Sequence, residues 1–150
     1  LSHIYGNLTG RTATPSGEWV KFKQDEFTAS HSIGLADEGY LYVPKSCASG
    51  APCRLHIAFH GCAQSHSFVG DKFMQNTGYD RWADSNHLLV LFPQTKIDLL
   101  LHLTNFNGWM NNANACWDWL GFYGSDFAYK TGPQMVAIKK MIDRIGSGHH

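Results

Sequence analysis

His60-Gly61-Cys62 stands at the end of an apolar run, residues 55–59 (LHIAF). The run reads as a short buried strand, and the glycine lets the chain bend sharply where the strand stops. A strand that ends this way can aim a backbone N–H at a carbonyl under attack. The N–H of Cys62 would then hold the developing oxyanion, and one such donor is worth about 3 kcal/mol in a water-excluded site. The competing reading is a plain strand-to-loop turn with a buried cysteine. In either case His60, Gly61, Gln64 and Ser65 are the residues placed to hold the loop.

Other chemistry is sparse. No G-x-S-x-G occurs, so no nucleophile turn can be placed, and no G-x-G-x-x-G or G-K-[ST] offers a phosphate cradle. Ser65, His87 and Asp118 could be named as a triad, but nothing in their spacing links them. His56 and His60 have strand parity, with His66 nearby, yet no H-E-x-x-H pattern accompanies them. Neither a metal nor a cofactor is expected. Trp117 and Trp119 flank Asp118 directly after Cys116. Beside a carbonyl site, two indoles would pack on an apolar acyl or polymer chain. Plain core packing is the alternative for each, and Asp118 between them suits a hydrogen-bonded turn.

Cys47 and Cys53 bracket a short loop, a spacing that suits a local disulfide, which leaves Cys62 and Cys116. Four cysteines allow three connectivities. Pairing 47 with 53 and 62 with 116 is the expectation, and it implies an oxidising compartment and a secreted protein. Four free buried thiols are the alternative. Twelve basic and twelve acidic residues balance, so no basic stripe points to nucleic acid. No apolar stretch reaches the roughly 20 residues that cross a bilayer. The 150 residues make one domain or part of one. Residues 146–150 read as a linker and tag remnant, which leaves 1–145 as the folded part.

The elements that must position these groups follow from periodicity. Residues 1–8 carry Leu1, Ile4, Tyr5 and Leu8 at helical spacing. Residues 19–23 and 39–44 read as strands joined by short connections, which suggests an antiparallel edge. Residues 67–74 are polar and read as a loop. Residues 79–85 read as a helix, and residues 87–92 (HLLVLF) as a buried parallel strand. Residues 96–115 contain Leu99, Leu100, Leu101, Leu103, Phe106, Trp109 and Met110. They suit either an amphipathic helix and loop packed on the core or an exposed apolar lid, with packing down preferred. Residues 133–145 close the chain as a helix with an apolar stripe.

Six stretches in this order resemble the polyhydroxybutyrate depolymerase branch of the α/β-hydrolases. They are His3-Ile4-Tyr5-Gly6, residues 39–47 (GYLYVPKSC), 53–65 (CRLHIAFHGCAQS), 79–94, 112–119 (NANACWDW) and 130–145. The resemblance implies an α/β fold with a mostly parallel sheet flanked by helices. With HIYG first and a helix last, it implies the C-terminal part of a circularly permuted domain whose serine, aspartate and histidine lie on a separate segment. Carried over by residue, it makes the Cys62 N–H an oxyanion donor and Trp117 and Trp119 crevice walls. The implied substrate is a polyester or oligoester of 3-hydroxy acids, and the implied partner is the segment that carries the triad. Two departures stand out. A family-like Asn-Pro-Asn-Gly is here Asn112-Ala113-Asn114-Ala115, and the leucine-rich residues 98–103 are unusual. Feruloyl and acetylxylan esterases share parts of this pattern and give one alternative. A non-catalytic polymer-binding module gives another.

Overall fold

A computed structural model describes residues 1–29 and 32–148. His149 and His150 of the expected tag remnant lie outside the described residues. Four strands form the main sheet: β1 (Glu18–Lys23), β2 (Glu38–Val43), β3 (Arg54–Ile57) and β4 (Leu88–Phe92). Their spatial order is β1-β2-β4-β3. β1 runs antiparallel to β2, and β2 antiparallel to β4. Only β3 and β4 are parallel, with Arg54 opposite Leu88 and Ile57 opposite Leu91.

The sheet is therefore mixed, which corrects the mostly parallel sheet expected above. The reason is connectivity. β1 and β2 are consecutive neighbours, and β2 reaches β4 with β3 inserted outside it. A parallel neighbour needs a crossover, which the residues between β3 and β4 supply as three short helices. These are α3 (His66–Val69), α4 (Lys72–Asn76) and α5 (Tyr79–Asn86), preceded in the chain by α1 (Ser2–Tyr5) and α2 (Lys45–Ala48). Residues 67–74, expected as a loop, thus hold two helices of four and five residues. Such lengths are too short to show a helical period.

β4 sits in the middle and alternates between the two faces. Leu88, Val90 and Phe92 join Tyr40, Tyr42, Met74 and Ala83 in one cluster, under α4 and α5. Leu91 faces the other way, onto Ala137, Ile138 and Met141 of α6 (Pro133–Gly146). Phe27 of a short 3-10 turn (Asp25–Phe27), Ile33 and Leu35 complete that second layer.

β3 differs from its expectation as a buried strand. It lies at the sheet edge, Leu55, His56 and Ile57 are only half-buried, and Phe59 beyond it is 49% exposed. α1 straps its beginning: the Tyr5 hydroxyl meets His56 Nδ1 at 3.0 Å and the Leu55 carbonyl at 3.4 Å. α1 stops at Gly6, well short of Leu8, because that glycine takes φ 77°. The Cys47–Cys53 disulfide ties α2 to the start of β3.

Residues 96–115 are neither a helix nor packed down. They form a hairpin of β5 (Asp98–Thr104) and β6 (Gly108–Asn112). Thr104 Oγ1 donates to the Gly108 carbonyl and accepts from the Asn107 N–H, closing the three-residue connection. Leu99, Leu100, Leu101, Leu103, Phe106 and Trp109 are all between 63% and 71% exposed.

Candidate active site

In the turn Gly61–Gln64 beyond β3, three of the four backbone N–H groups have acceptors. Gly61 donates to Gln64 Oε1 at 3.0 Å, Ala63 to the Asn114 carbonyl at 2.7 Å, and Gln64 to the Gly61 carbonyl at 3.1 Å. The N–H of Cys62 has no acceptor among the described residues, and Cys62 is exposed. His60 fixes the same peptide from behind. It is buried, 2% exposed, and its Nδ1–H donates to the Gly61 carbonyl at 2.8 Å. Its Nε2 accepts from the Thr95 N–H at 3.2 Å. The Gly61 carbonyl and the Cys62 N–H belong to one planar, trans peptide. Anchoring the carbonyl therefore sets the direction of the N–H.

A second segment is bolted to this loop. Cys62 and Cys116 form a disulfide. Asn112 grips Cys116 from both sides, accepting its N–H and donating to its carbonyl, each at 2.8 Å. The Thr95 hydroxyl donates to the Ala115 carbonyl at 2.5 Å. Ala63 and Ala115, one on each side of the disulfide, take φ of 56° and 46°. Left-handed backbone costs an L-residue about 1 kcal/mol or more, so these bonds hold strain at the site.

The two indoles part company. Trp117 is half-buried, donates its Nε1–H to the His60 carbonyl at 3.0 Å, and packs edge-on to Phe59. It braces the loop. Trp119 is 58% exposed and free to meet a ligand. Asp118 between them is a hub: Oδ1 accepts from Gly121 at 2.7 Å and Phe122 at 2.9 Å, and Oδ2 from Tyr123 at 3.0 Å. Gln134 of α6 accepts the Asp118 N–H and donates to the Ile33 carbonyl, anchoring the turn to the core.

Ser65, His87 and Asp118 do not meet. Ser65 bonds Ser67, His87 bonds Ser46, and Asp118 is engaged by backbone. His56, His60 and His66 are likewise apart, bonded to Tyr5, Thr95 and Asp71. No group of three or more His, Cys, Asp or Glu among the described residues could hold a metal ion.

Comparison with known proteins gives the frame. No protein-family model matches the chain. It is 47% identical over 150 residues to a polyhydroxybutyrate depolymerase of Talaromyces funiculosus, covering 99% of the chain. A poly(3-hydroxybutyrate) depolymerase of Delftia acidovorans is 41% identical over 152 residues, again across 99% of the chain. The crystal structure of a PHB depolymerase from Penicillium funiculosum superposes with a TM-score of 0.92 at 46% identity. Along 99% of its length the chain is similar to the poly(3-hydroxybutyrate) depolymerase family. A second solved PHB depolymerase, complexed with an R3HB trimer, has a TM-score of 0.91. The chain spans 44% and 28% of the two curated relatives and 47% of each solved structure.

Several supports of the site escape sequence reading. Thr95, Asn112, Asn114 and Gln134 are polar residues with no sequence pattern to single them out. Gln94 is another: its Oε1 caps α3 by accepting the His66 N–H, while Gln24 holds its backbone from both sides. All but exposed Asn114 share burial, and burial of a polar group is visible only in the fold.

Two expected results concern these supports. Burial holds the pKa of His60 and of His56 below the ordinary 6.5. As the pH falls below 6.5 the unfolded chain takes up these protons first, so it binds more protons than the folded one. Stability, complete above pH 6.5, then drops by up to about 1.4 kcal/mol per pH unit for each imidazole. The loss ends once the pH passes below the folded-state values. Thermal melts between pH 7.5 and 4.5 read this slope, and His60→Asn removes the His60 share.

Asp118→Ala strands the N–H groups of Gly121, Phe122 and Tyr123. The expected cost is about 3 kcal/mol in urea denaturation, as for hydrogen bonds to a charged acceptor. Asp118→Asn keeps an acceptor oxygen and loses less than half of that.

Proposed function

We propose that the chain forms the oxyanion and substrate-binding side of a secreted serine ester hydrolase. The substrate class is polyesters or oligoesters of 3-hydroxy acids. The serine, histidine and aspartate come from a segment outside this sequence. The observation that carries the reading is the unengaged N–H of exposed Cys62, in a turn where the N–H groups of Gly61, Ala63 and Gln64 are all bonded. Three further features support it. Among the described residues no strand pairs with the outer edge of β3, which carries apolar Leu55 and Ile57 and suits an adjoining strand. Two disulfides fit an oxidising compartment. A PHB depolymerase of the same fold is known in complex with an R3HB trimer.

The serine oxygen attacks the ester carbonyl while the histidine takes its proton. The Cys62 N–H and the N–H following the serine hold the oxyanion. The alcohol leaves with the proton from the histidine. Water, deprotonated by the same histidine, then attacks the acyl-enzyme and releases the acid. Exposed Trp119 lies against the apolar part of the acyl chain, with Trp117 holding the loop behind it.

The test pairs the full-length protein with residues 1–150 alone. Full-length protein cleaves soluble 3-hydroxybutyrate oligomers, and a serine-directed fluorophosphonate abolishes this. The reading fails if residues 1–150 alone turn over the ester, with the label on one of their own serines. It fails equally if the full-length protein is not labelled.

A further inference from the structure

Asn7-Leu8-Thr9 is the acceptor pattern for an N-linked oligosaccharide: asparagine, a residue other than proline, then threonine. It is the one such N-x-Ser/Thr tripeptide in the 150 residues. A tripeptide alone is a weak signal, and its setting is what gives it weight.

Asn7 is exposed, in the bend just after Gly6 ends α1, and its side-chain amide makes no hydrogen bond among the described residues. Thr9 is pinned through its backbone only. Its N–H donates to Asn86 Oδ1 at 2.8 Å, and its carbonyl accepts from Asn86 Nδ2 at 2.9 Å. Thr9 is exposed and its hydroxyl is unengaged among the described residues, so both the acceptor amide and the hydroxyl that the pattern requires are accessible. The two disulfides place the chain in an oxidising route, the kind in which such a transfer takes place.

Position adds a functional consequence. Asn86 ends α5 immediately before β4 begins, and Arg54 at the start of β3 donates to the His87 carbonyl. Thr9 is therefore fixed at the pole where the parallel strands start. The Cys62 loop lies at the pole where they end, and the four residues of β3 alone separate the two by about 13 Å.

We propose that Asn7 carries an N-linked oligosaccharide, which hydrates the pole opposite the Cys62 loop and leaves Trp119 and the β5–β6 hairpin uncovered. In the transfer, Asn7 Nδ2 bonds to the anomeric carbon of an oligosaccharide carried on a polyprenyl diphosphate. The carbon–oxygen bond to the diphosphate breaks, the diphosphate leaves, and the amide proton passes to a base of the transferring enzyme. Nothing in this depends on the hydrolase reading.

The test uses the protein secreted from its own source or a eukaryotic host, treated with a peptide N-glycosidase in H2(18)O. The expected mass falls to that of the polypeptide with one Asn converted to Asp, and the heavy oxygen maps to position 7. Asn7→Gln and Thr9→Ala each yield polypeptide mass before treatment, Thr9→Ser keeps the sugar, and Asn7→Gln leaves soluble-ester turnover unchanged. Recovery of the Asn7 peptide only in unmodified form overturns the proposal. So does a modification that survives in Thr9→Ala.

Discussion

Cys116→Ser, made in the full-length protein, lowers turnover of a soluble 3-hydroxybutyrate ester about a hundredfold with little change in KM. That is the scale seen when one preorganised oxyanion donor is lost. The substitution keeps the Cys62 N–H but releases the loop from the segment that holds it. Ala63 then has only the Asn114 carbonyl to keep it at φ 56°, and the strained loop is free to relax. Stability falls too. The bond spans 54 residues, and the chain-entropy relation puts its worth at about 4 kcal/mol. Cys47→Ser opens a span of 6 residues, worth about 2 kcal/mol, at the far pole. Turnover should be nearly untouched there. Parallel kcat, KM and urea measurements on the two variants separate the effects. If both lose turnover only in proportion to their unfolded fraction, the Cys62 loop has no oxyanion role.

How much of this was legible beforehand divides along physical lines. β1, β2 and β4 were readable because apolar and aromatic runs bounded by Pro and Asn are local signals. The helix from Pro133 was readable because four turns of apolar stripe leave a period in the sequence. The antiparallel edge of β1 and β2 was readable as well, but the antiparallel pairing of β2 with β4 was not, since whether a strand pairs with its predecessor or waits for a later one is decided by packing. β3 was read as buried because its residues are apolar. It lies at an edge, part-buried, and among the described residues no strand pairs with its outer side. Composition reports what a strand is built to meet, and here it agrees with the proposed adjoining segment. The Cys62 loop was identifiable from three residues. The clamp that gives its N–H a direction, from His60 to Thr95 and from Asn112 to Cys116, joins positions up to 35 residues apart and needed coordinates.

The hairpin of residues 98–112 was misread for an instructive reason. Asn107-Gly108 is a strong hairpin signal, and Gly108 takes φ 71°. The three consecutive leucines 99–101 mask the alternation that would have confirmed a strand: Asp98 and Thr104 are buried and His102 is half-buried, but Leu100 is exposed together with Leu99 and Leu101 where the register against β6 shifts. A helix packed on the core was the reading that gave those leucines somewhere to go. The structure leaves them exposed, so what they meet is a question of function.

Leu99→Ser, Leu101→Ser and Leu103→Ser together should cut hydrolysis of a solid 3-hydroxybutyrate polyester film about a hundredfold at limiting enzyme, while turnover of a soluble dimer ester stays unchanged. Leu99, Leu101 and Leu103 are all exposed along β5, whose register against β6 shifts between Asp98 and His102, and Trp109 pairs with Leu103 on the neighbouring strand. Exposed apolar surface this continuous marks an interaction site. Against a solid polymer each leucine side chain would bury about half of itself, worth about 1 kcal/mol. Three of them make about 3 kcal/mol, which is about a hundredfold in the adsorption constant. Serine costs the fold little, because these side chains support nothing beneath them. The hairpin is anchored instead at its base, where Asp98 meets His102 at 3.0 Å and Tyr123 at 3.3 Å. Adsorption isotherms on film, beside soluble-ester kcat/KM, give both readings from one preparation. If soluble and film activity fall together and the melting temperature drops, the leucines pack against the segment that carries the triad and take no part in holding the polymer. If film activity alone falls, the surface that the sequence could not place is the one by which a water-soluble catalyst stays on an insoluble substrate.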